Sequence, residues 1–258
     1  MSRIIAVTNQ KGGVGKTTTA VNLAASLAAT KRRVLLVDID PQGNATMGSG
    51  VNKHQLKASS YDVLMGEATL AQALVKVEAS GLTLLPANGD LTAAEVTLIG
   101  AERREARLRE VLADARADYD FIFIDCPPSL GLLTVNGLAA ADDVIVPIQC
   151  EYYALEGLGQ LLRNVSLVQA NLNPSLDVRG IILTMYDART KLAEQVEREV
   201  RAHFGAKVYR TVVPRTVRIS EAPSFGQPVT VFDSTSRGAL AYRELAKEVS
   251  RGATRRAG

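Results

Sequence analysis

Residues Gln10–Thr18 read Q-K-G-G-V-G-K-T-T, and this stretch decides the fold class of the chain. The apolar run Arg3–Thr8 before it has the composition of a buried strand, and Thr19–Leu27 after it has apolar residues at helical spacing. A glycine-rich turn between a strand and a helix is typical of a phosphate-binding loop, because glycines let successive backbone N–H groups converge on one anion. The stretch therefore predicts a nucleotide site.

The loop departs from the common pattern G-x-x-x-x-G-K-[ST] at its start. Residues 15–17 fit the end of that pattern, but Gln10 stands where the first glycine is expected. An additional lysine, Lys11, and the glycine pair 12–13 give instead the deviant Walker A form K-G-G-x-G-K-[ST].

Two side chains of the loop have predicted roles at the phosphates. Lys16 is expected to reach the β- and γ-phosphates, and the Thr17 hydroxyl is expected to bind Mg²⁺. We expect eight residues to contact the nucleotide: Lys11, Gly12, Gly13, Val14, Gly15, Lys16, Thr17 and Thr18.

Carboxylates end two further apolar runs. The strand-like run Arg33–Asp38 continues into Asp40, and Asp120–Asp125 has the Walker B pattern of an apolar strand closed by a carboxylate for the Mg²⁺ shell. Asp38 and Asp40 share a face if the chain is extended there. One of the two is expected to orient Mg²⁺ through water and the other to position the attacking water. A Pro-Pro turn after Asp125 is a candidate switch segment.

Strands alternate with helices along the chain, which predicts one doubly wound, mostly parallel sheet flanked by helices. A single domain over residues 1–258 is expected, with a flexible basic tail at 251–258. Further strands are predicted at 81–86, 143–148, 179–186 and 207–213, helices at 89–117, 154–171, 191–204 and 235–250, and a loop at 214–223.

Composition suits this fold class. The 258 residues are 47% hydrophobic and 22% charged, and no apolar run approaches the length of a membrane span. The first strand starts almost at the N-terminus of the sequence, so no signal peptide is expected. Cys126 and Cys150 do not form a disulfide framework, and we expect two small buried side chains in a reducing cytoplasm.

Charge is unevenly distributed. Residues 1–178 carry 15 Lys and Arg against 19 Asp and Glu, whereas residues 179–258 carry 15 against 8. This excess indicates either a contact with a polyanion or ordinary solvated helix faces, and composition does not separate the two.

Taken together, the motifs resemble those of the ParA/Soj chromosome- and plasmid-partitioning ATPases over nearly the whole chain. They are the loop at Lys11–Thr18, D-I-D-P-Q-G-N at Asp38–Asn44, F-I-D-C-P-P-S-L-G at Phe123–Gly131, Q-C-E-Y-Y-A-L-E-G at Gln149–Gly157, and R-x-S-E-A-P-S at Arg218–Ser224.

The resemblance implies specific roles. Lys11 is similar to the signature lysine that reaches the partner subunit's nucleotide in an ATP-bound sandwich dimer, and Gly12 to a glycine packed tightly in that dimer. Thr18 is expected near the α-phosphate and Asp40 at the hydrolytic water. Asp38 and Asp125 are then expected at Mg²⁺, together with Thr17. Met185, Pro214 and Arg215 match positions that enclose the adenine.

The resemblance also implies an ATP/ADP- and Mg²⁺-dependent DNA-partitioning switch in the cytoplasm, associated with the nucleoid. ATP drives dimerisation and binding to double-stranded DNA without sequence preference, and a ParB/Spo0J-type partner stimulates slow hydrolysis. The expected DNA contacts are Arg189, Lys191, Arg215 and Arg218, with Arg189 and Arg218 the main ones.

Three alternatives remain. A MinD-like membrane-positioning ATPase would end in an amphipathic membrane helix, but residues 239–249 carry modest apolar bulk and two glutamates. An electron-transfer protein like the nitrogenase iron protein would need cysteines at a different spacing. A non-enzymatic nucleotide-binding protein would not need Lys11, Asp40 and Asp125 together.

Overall fold

A computed structural model describes residues 2–152 and 154–254. Seven strands form one sheet with the spatial order β3-β4-β2-β5-β1-β6-β7, and every neighbouring pair is parallel except β3 and β4. The strands are β1 (Arg3–Val7), β2 (Val34–Asp38), β3 (Val75–Val77), β4 (Leu82–Leu85), β5 (Phe121–Asp125), β6 (Asp143–Gln149) and β7 (Asp177–Thr184). The predicted fold class is confirmed.

Twelve α-helices occur in the described residues: α1 (Lys16–Ala28), α2 (Asn44–Gly48), α3 (Ser60–Met65), α4 (Leu70–Ala73), α5 (Leu91–Thr97), α6 (Arg107–Ala115), α7 (Leu132–Ala140), α8 (Ala154–Asn171), α9 (Lys191–Phe204), α10 (Val217–Glu221), α11 (Val229–Phe232) and α12 (Arg237–Thr254). The predicted bounds of α8 and α9 are confirmed. None of these helices is both long and apolar enough to cross a membrane.

The helices cover both faces of the sheet because the central strands are apolar on both sides. Ile4 and Ala6 of β1 face a core shared with helices α3–α9, and Ile5 and Val7 face a second core shared with α1, α2, α11 and α12. All five residues of β2 and of β5 are buried. Alternate residues of one strand therefore support two helical layers.

The strand order reverses at β1, because β2 to β5 all lie on one side of it whereas β6 and β7 lie on the other. Val7 pairs with Asp125, and Asp125 pairs with Asp38 on its other side. Ligands of doubly wound sheets bind at the carboxyl ends of strands, where the strand order reverses. The loops after β1, β2 and β5 meet at that edge.

The predicted strand at 207–213 is wrong. Two isolated bridges, Ile181–Val208 and Tyr186–Pro214, are the pairings of this stretch within the described residues. Its backbone is satisfied partly by single bonds to β7, from the N–H groups of Tyr209 and Val213 to the carbonyls of Ile181 and Leu183, and partly by side chains. Arg201 donates to the carbonyls of residues 209 and 210, and Glu248 accepts from the N–H groups of residues 210 and 211.

Three other expectations need correction. The helix predicted at 89–117 is interrupted between α5 and α6, where Arg103 has a φ of 53°. The edge strand β3 was not predicted, and the predicted loop at 214–223 contains α10. Of the predicted basic tail, residues 255–258 lie outside the described residues, and residues 251–254 continue α12.

Candidate active site

The glycine-rich loop connects β1 to α1 through left-handed backbone. Gly13 and Gly15 have φ values of 74° and 85°, a region that residues with a side chain rarely adopt. Gly15 is the N-cap of α1, and its carbonyl accepts from the N–H of Thr19 at 2.9 Å. The free N–H groups of the first helical turn therefore point to the mouth of the loop.

Two polar side chains hold this loop against the sheet. Asn9 donates from Nδ2 to the Pro147 carbonyl at 2.8 Å and accepts from the Lys11 N–H at 3.0 Å. The Thr184 hydroxyl lies 2.8 Å from the Val14 carbonyl. Sequence reasoning missed both residues, because a polar residue at a strand end carries no signal of what it will contact.

Lys16 is buried at the start of α1, with 7% of its surface exposed. Its Nζ donates to the Lys11 carbonyl at 3.1 Å. Burial lowers the pKa of this ammonium, and the neighbouring carboxylates of Asp125 and Asp40 oppose the shift. The ammonium forms no ion pair within the described residues, so an anion at the loop would gain an uncommitted cation.

Asp125 ends β5 and is fully buried. Neither of its carboxylate oxygens has a hydrogen-bond partner in the described part of the chain. Burial raises its pKa well above the ordinary range and the charge of Asp38 raises it further, whereas the Thr17 hydroxyl nearby opposes the rise without forming a well-aligned bond. A divalent cation would relieve this arrangement, because it supplies the charge that the carboxylate lacks.

The donors fit Mg²⁺ bound largely by phosphate and water. The described residues contain no group of three or more His, Cys, Asp and Glu side chains that would cage a metal. Mg²⁺ keeps several waters and takes few protein ligands beside nucleotide phosphates. A hydroxyl and one carboxylate, such as those of Thr17 and Asp125, are a protein ligand set of this kind.

Asp38 and Asp40 lie next to this carboxylate in different settings. Asp38 is fully buried and both of its oxygens accept hydrogen bonds, and burial raises its pKa to about 6. Asp40 is 6% exposed, and its Oδ1 accepts from the Gln42 N–H at 2.9 Å. The structure thus brings together the loop and the three carboxylates that the sequence singled out.

The chain resembles known proteins over nearly its full length. A family model described as an AAA domain matches residues 2–178. The chromosome partitioning protein ParA of Caulobacter vibrioides is 55% identical over 96% of this chain and 93% of that protein. The chromosome-partitioning ATPase Soj of Thermus thermophilus is also 55% identical, over 96% of this chain and 95% of its own length.

This chain belongs to the ParA/Soj family of partitioning ATPases. A solved structure named as cobyrinic acid a,c-diamide synthase from Mycobacterium smegmatis, with bound ADP and magnesium, has a TM-score of 0.87 and 45% sequence identity. The match covers 97% of this chain and 95% of that one. As a member of the ParA/Soj family, the chain is an ATPase.

Lys11, the additional lysine of the ParA/Soj loop, points away from the loop. Lys11 Nζ lies 2.9 Å from Oε2 of Glu151, and each side chain is nearly half exposed, at 45% and 47%. Glu151 also accepts from Gln149. Beside it, a Cβ added to Gly12 would meet no atom within 4 Å. The single chain therefore leaves both residues open to a partner.

The three residues expected at the adenine lie on two adjoining segments of this ParA/Soj fold. Tyr186 donates from its N–H to the Val213 carbonyl, and Arg215 donates to the Tyr186 carbonyl, each at 3.0 Å. These bonds set Met185 beside Pro214 and Arg215. Met185 has a φ of 51°, a strained conformation for a side chain of its size.

The four basic residues expected at DNA differ in their partners. Arg189 is 89% exposed and pairs with Asp187 at 2.7 Å. Arg218 pairs with Glu221 at 3.1 Å and with Asp233 at 3.2 Å. Lys191 and Arg215 are exposed and form no ion pair within the described residues.

Proposed function

We propose that this chain is an ATP-driven DNA-partitioning switch that segregates a chromosome or plasmid. ATP and Mg²⁺ bind at the loop of Lys11–Thr18, two chains associate face to face, and the dimer binds double-stranded DNA without sequence preference. A ParB-type partner stimulates hydrolysis and resets the cycle. The observation that carries the proposal is the buried carboxylate of Asp125, which accepts no hydrogen bond in the described part of the chain and lies beside Thr17 and Lys16.

The chemistry at the loop follows from its charges. Thr17 and Asp125 would hold Mg²⁺, which neutralises charge on the phosphates when it is bound. Lys16 supplies a desolvated positive charge to the β- and γ-phosphates. Asp40 orients the attacking water through Oδ2, which accepts no hydrogen bond within the described residues, whereas Oδ1 accepts from the Gln42 N–H.

Dimerisation is supported by the outward position of Lys11. A lysine that reaches a neighbouring subunit's phosphates stabilises charge only when two subunits meet, which couples hydrolysis to association. The exposed pair with Glu151 contributes at most about 1 kcal/mol, so leaving it is not a barrier. The open space at Gly12 is compatible with a close approach of the partner.

DNA is favoured over a membrane as the target surface by the packing of α12. Five of its apolar side chains are used in the core: Ala239, Tyr242, Leu245, Ala246 and Val249 are each at most 3% exposed, whereas Leu240 is half exposed. A helix that inserts into a lipid interface needs a free apolar face. We therefore place the dimer on the nucleoid in the cytoplasm.

The test is binding to random-sequence duplex DNA with ATP, with ADP and without nucleotide, at two salt concentrations. Asp40→Ala holds the ATP state because it removes the water-orienting group while leaving the phosphate loop intact. We expect binding with ATP alone, lost at the higher salt because bound phosphates release counterions. The proposal would be refuted if DNA binding were the same with ATP, with ADP and without nucleotide. It would also be refuted if the chain floated with liposomes and did not bind DNA.

A further inference from the structure

The carboxylate of Asp38 is held by three hydrogen bonds in a fully buried position. Its Oδ2 accepts from the backbone N–H of Thr46 at 2.8 Å and from the Thr46 hydroxyl at 2.7 Å. Its Oδ1 accepts from the backbone N–H of Asp40 at 3.1 Å. A carboxylate with such partners is already stabilised by the protein and has less to gain from a metal than Asp125.

The Thr46 hydroxyl cannot turn away from Asp38. Thr46 lies on α2 and is 0% exposed. Its oxygen accepts from the Ala87 N–H at 2.8 Å, so its single proton is directed to the carboxylate. A chain of hydrogen bonds therefore connects the backbone after β4, through the Thr46 hydroxyl, to the carboxylate at the end of β2.

The chain of hydrogen bonds continues to Asp40, the residue proposed to orient the attacking water. The bond from the Asp40 N–H to Asp38 fixes the backbone at the point where the chain leaves β2. On the other side, the Ser60 hydroxyl donates to the Asp38 carbonyl at 2.5 Å. Asp40 is thus attached to a carboxylate that cannot move unless the bonds to Thr46 break.

We propose that Thr46 is a positioning residue for ATP hydrolysis, which acts through Asp38 to hold Asp40 in its productive place. Asp38 is then a brace for Asp40 and not a ligand of Mg²⁺. The proposal rests on the proposed ATPase site. Thr46 is proposed to affect the orientation of Asp40, whereas the affinity for nucleotide is set by the phosphate loop.

Thr46→Val removes the hydroxyl and keeps the backbone donor and the size of the side chain. We expect kcat for ATP to fall about ten- to a hundredfold, because a misplaced reacting group loses that much rate. The KM for ATP and the affinity for a fluorescent ATP analogue stay within about twofold. Thr46→Ser restores most of the turnover.

The chain offers a matched control at Thr211. Its N–H and hydroxyl also donate to one carboxylate oxygen, Glu248 Oε1, at 2.9 and 2.5 Å. Thr211→Val removes the same kind of bond away from the loop, and we expect parental turnover. An equal loss of kcat in the two variants would mean that general destabilisation, and not positioning, explains Thr46→Val.

A second variant, Asp38→Asn, tests the brace even if Thr46→Val does not fold. We expect lower turnover, with the Mg²⁺ concentration needed for half-maximal binding of the ATP analogue unchanged. A rise of about tenfold or more in that concentration would identify Asp38 as a metal ligand and overturn the proposal.

Hydrogen exchange in the nucleotide-free chain separates this proposal from the proposed function. Asp38→Asn and Thr46→Val should accelerate exchange of the Asp40 and Gln42 amides, whether or not the chain hydrolyses ATP. Unchanged exchange in the folded variants would overturn the brace. A parent chain that shows slow exchange at Asp40 but neither binds nor hydrolyses ATP would instead refute the proposed function.

Discussion

The phosphate loop and the four basic residues expected at DNA differ in the burial and pairing of their charges. The four are Arg189, Lys191, Arg215 and Arg218. At the loop, Lys16 and Asp125 are buried and have no ionic partner within the described residues. Of the four basic residues, Arg189 and Arg218 are exposed and already paired with acids of their own chain. Buried, uncommitted charge destabilises the free protein and is relieved by a ligand. Exposed, paired charge contributes little and is screened by salt.

The contrast separates two kinds of function. The loop is an arrangement in which each group is placed before the ligand arrives, so a single substitution should have a large effect. The four basic residues are similar exposed cations. Each single substitution should therefore weaken DNA binding only slightly, and several substitutions together should weaken it strongly. Three predictions, from the largest effect to the smallest, test this difference.

Lys16→Ala should give the largest effect. We expect ATP turnover to fall by at least about a hundredfold, because a desolvated positive charge at the phosphates is lost. Lys247→Ala is the matched control, since that lysine is exposed and pairs with Glu244 on α12. Steady-state ATPase assays check both. If the turnover of Lys16→Ala stays within tenfold of the parent, Lys16 does not act at the phosphates.

Asp125→Asn should stabilise the nucleotide-free chain while it abolishes Mg²⁺-dependent turnover. The folded-state pKa of Asp125 is raised above the ordinary 3.8, so ionisation opposes folding and stability declines as the pH rises through and above that value. Removing the charge should add about 1–3 kcal/mol at pH 7, which corresponds to several degrees in Tm.

Thermal unfolding at pH 5 and pH 8 provides the measurement. The difference in Tm between Asp125→Asn and the parent should grow with pH, and Asp118→Asn, an exposed aspartate, should show no such trend. A less stable Asp125→Asn chain would mean that the carboxylate has partners in the free protein.

Single substitutions of the four basic residues should have the smallest effects of the three predictions. We expect Arg189→Ala or Arg218→Ala to weaken DNA binding about three- to tenfold for every sequence tested, and to reduce the salt slope by about one. Asp187→Ala should act in the opposite direction, because it frees Arg189. Arg103→Ala is the control, since Arg103 is an exposed arginine paired with Glu110 in the acidic part of the chain.

Fluorescence anisotropy with unrelated duplexes at several salt concentrations measures these effects. If Asp187→Ala and Arg189→Ala both leave the affinity unchanged, the DNA surface lies elsewhere. Lys191 and Arg215, which carry no internal ion pair in the described structure, would be the next to test.

Local patterns predicted most of the elements, and the failures have a common cause. Residues 207–213 have the apolar alternation of a strand, yet the side chains of Arg201 on α9 and Glu248 on α12 take up part of their backbone hydrogen bonds. The break at Arg103 is similar, because a charged run with helical spacing gives no warning of a left-handed residue. Tertiary contacts override local preference in both places.

The sequence by itself determined the phosphate loop, the carboxylates at the strand ends and the doubly wound sheet. These features depend on glycine geometry, apolar periodicity and the alternation of strands with helices, all of which are local. Tertiary structure alone decided that the oxygens of Asp125 accept no hydrogen bond within the described residues, that Asp38 is held by Thr46, and that Lys11 points to Glu151. Burial and hydrogen-bond partners arise from segments far apart in the chain, and no local pattern records them.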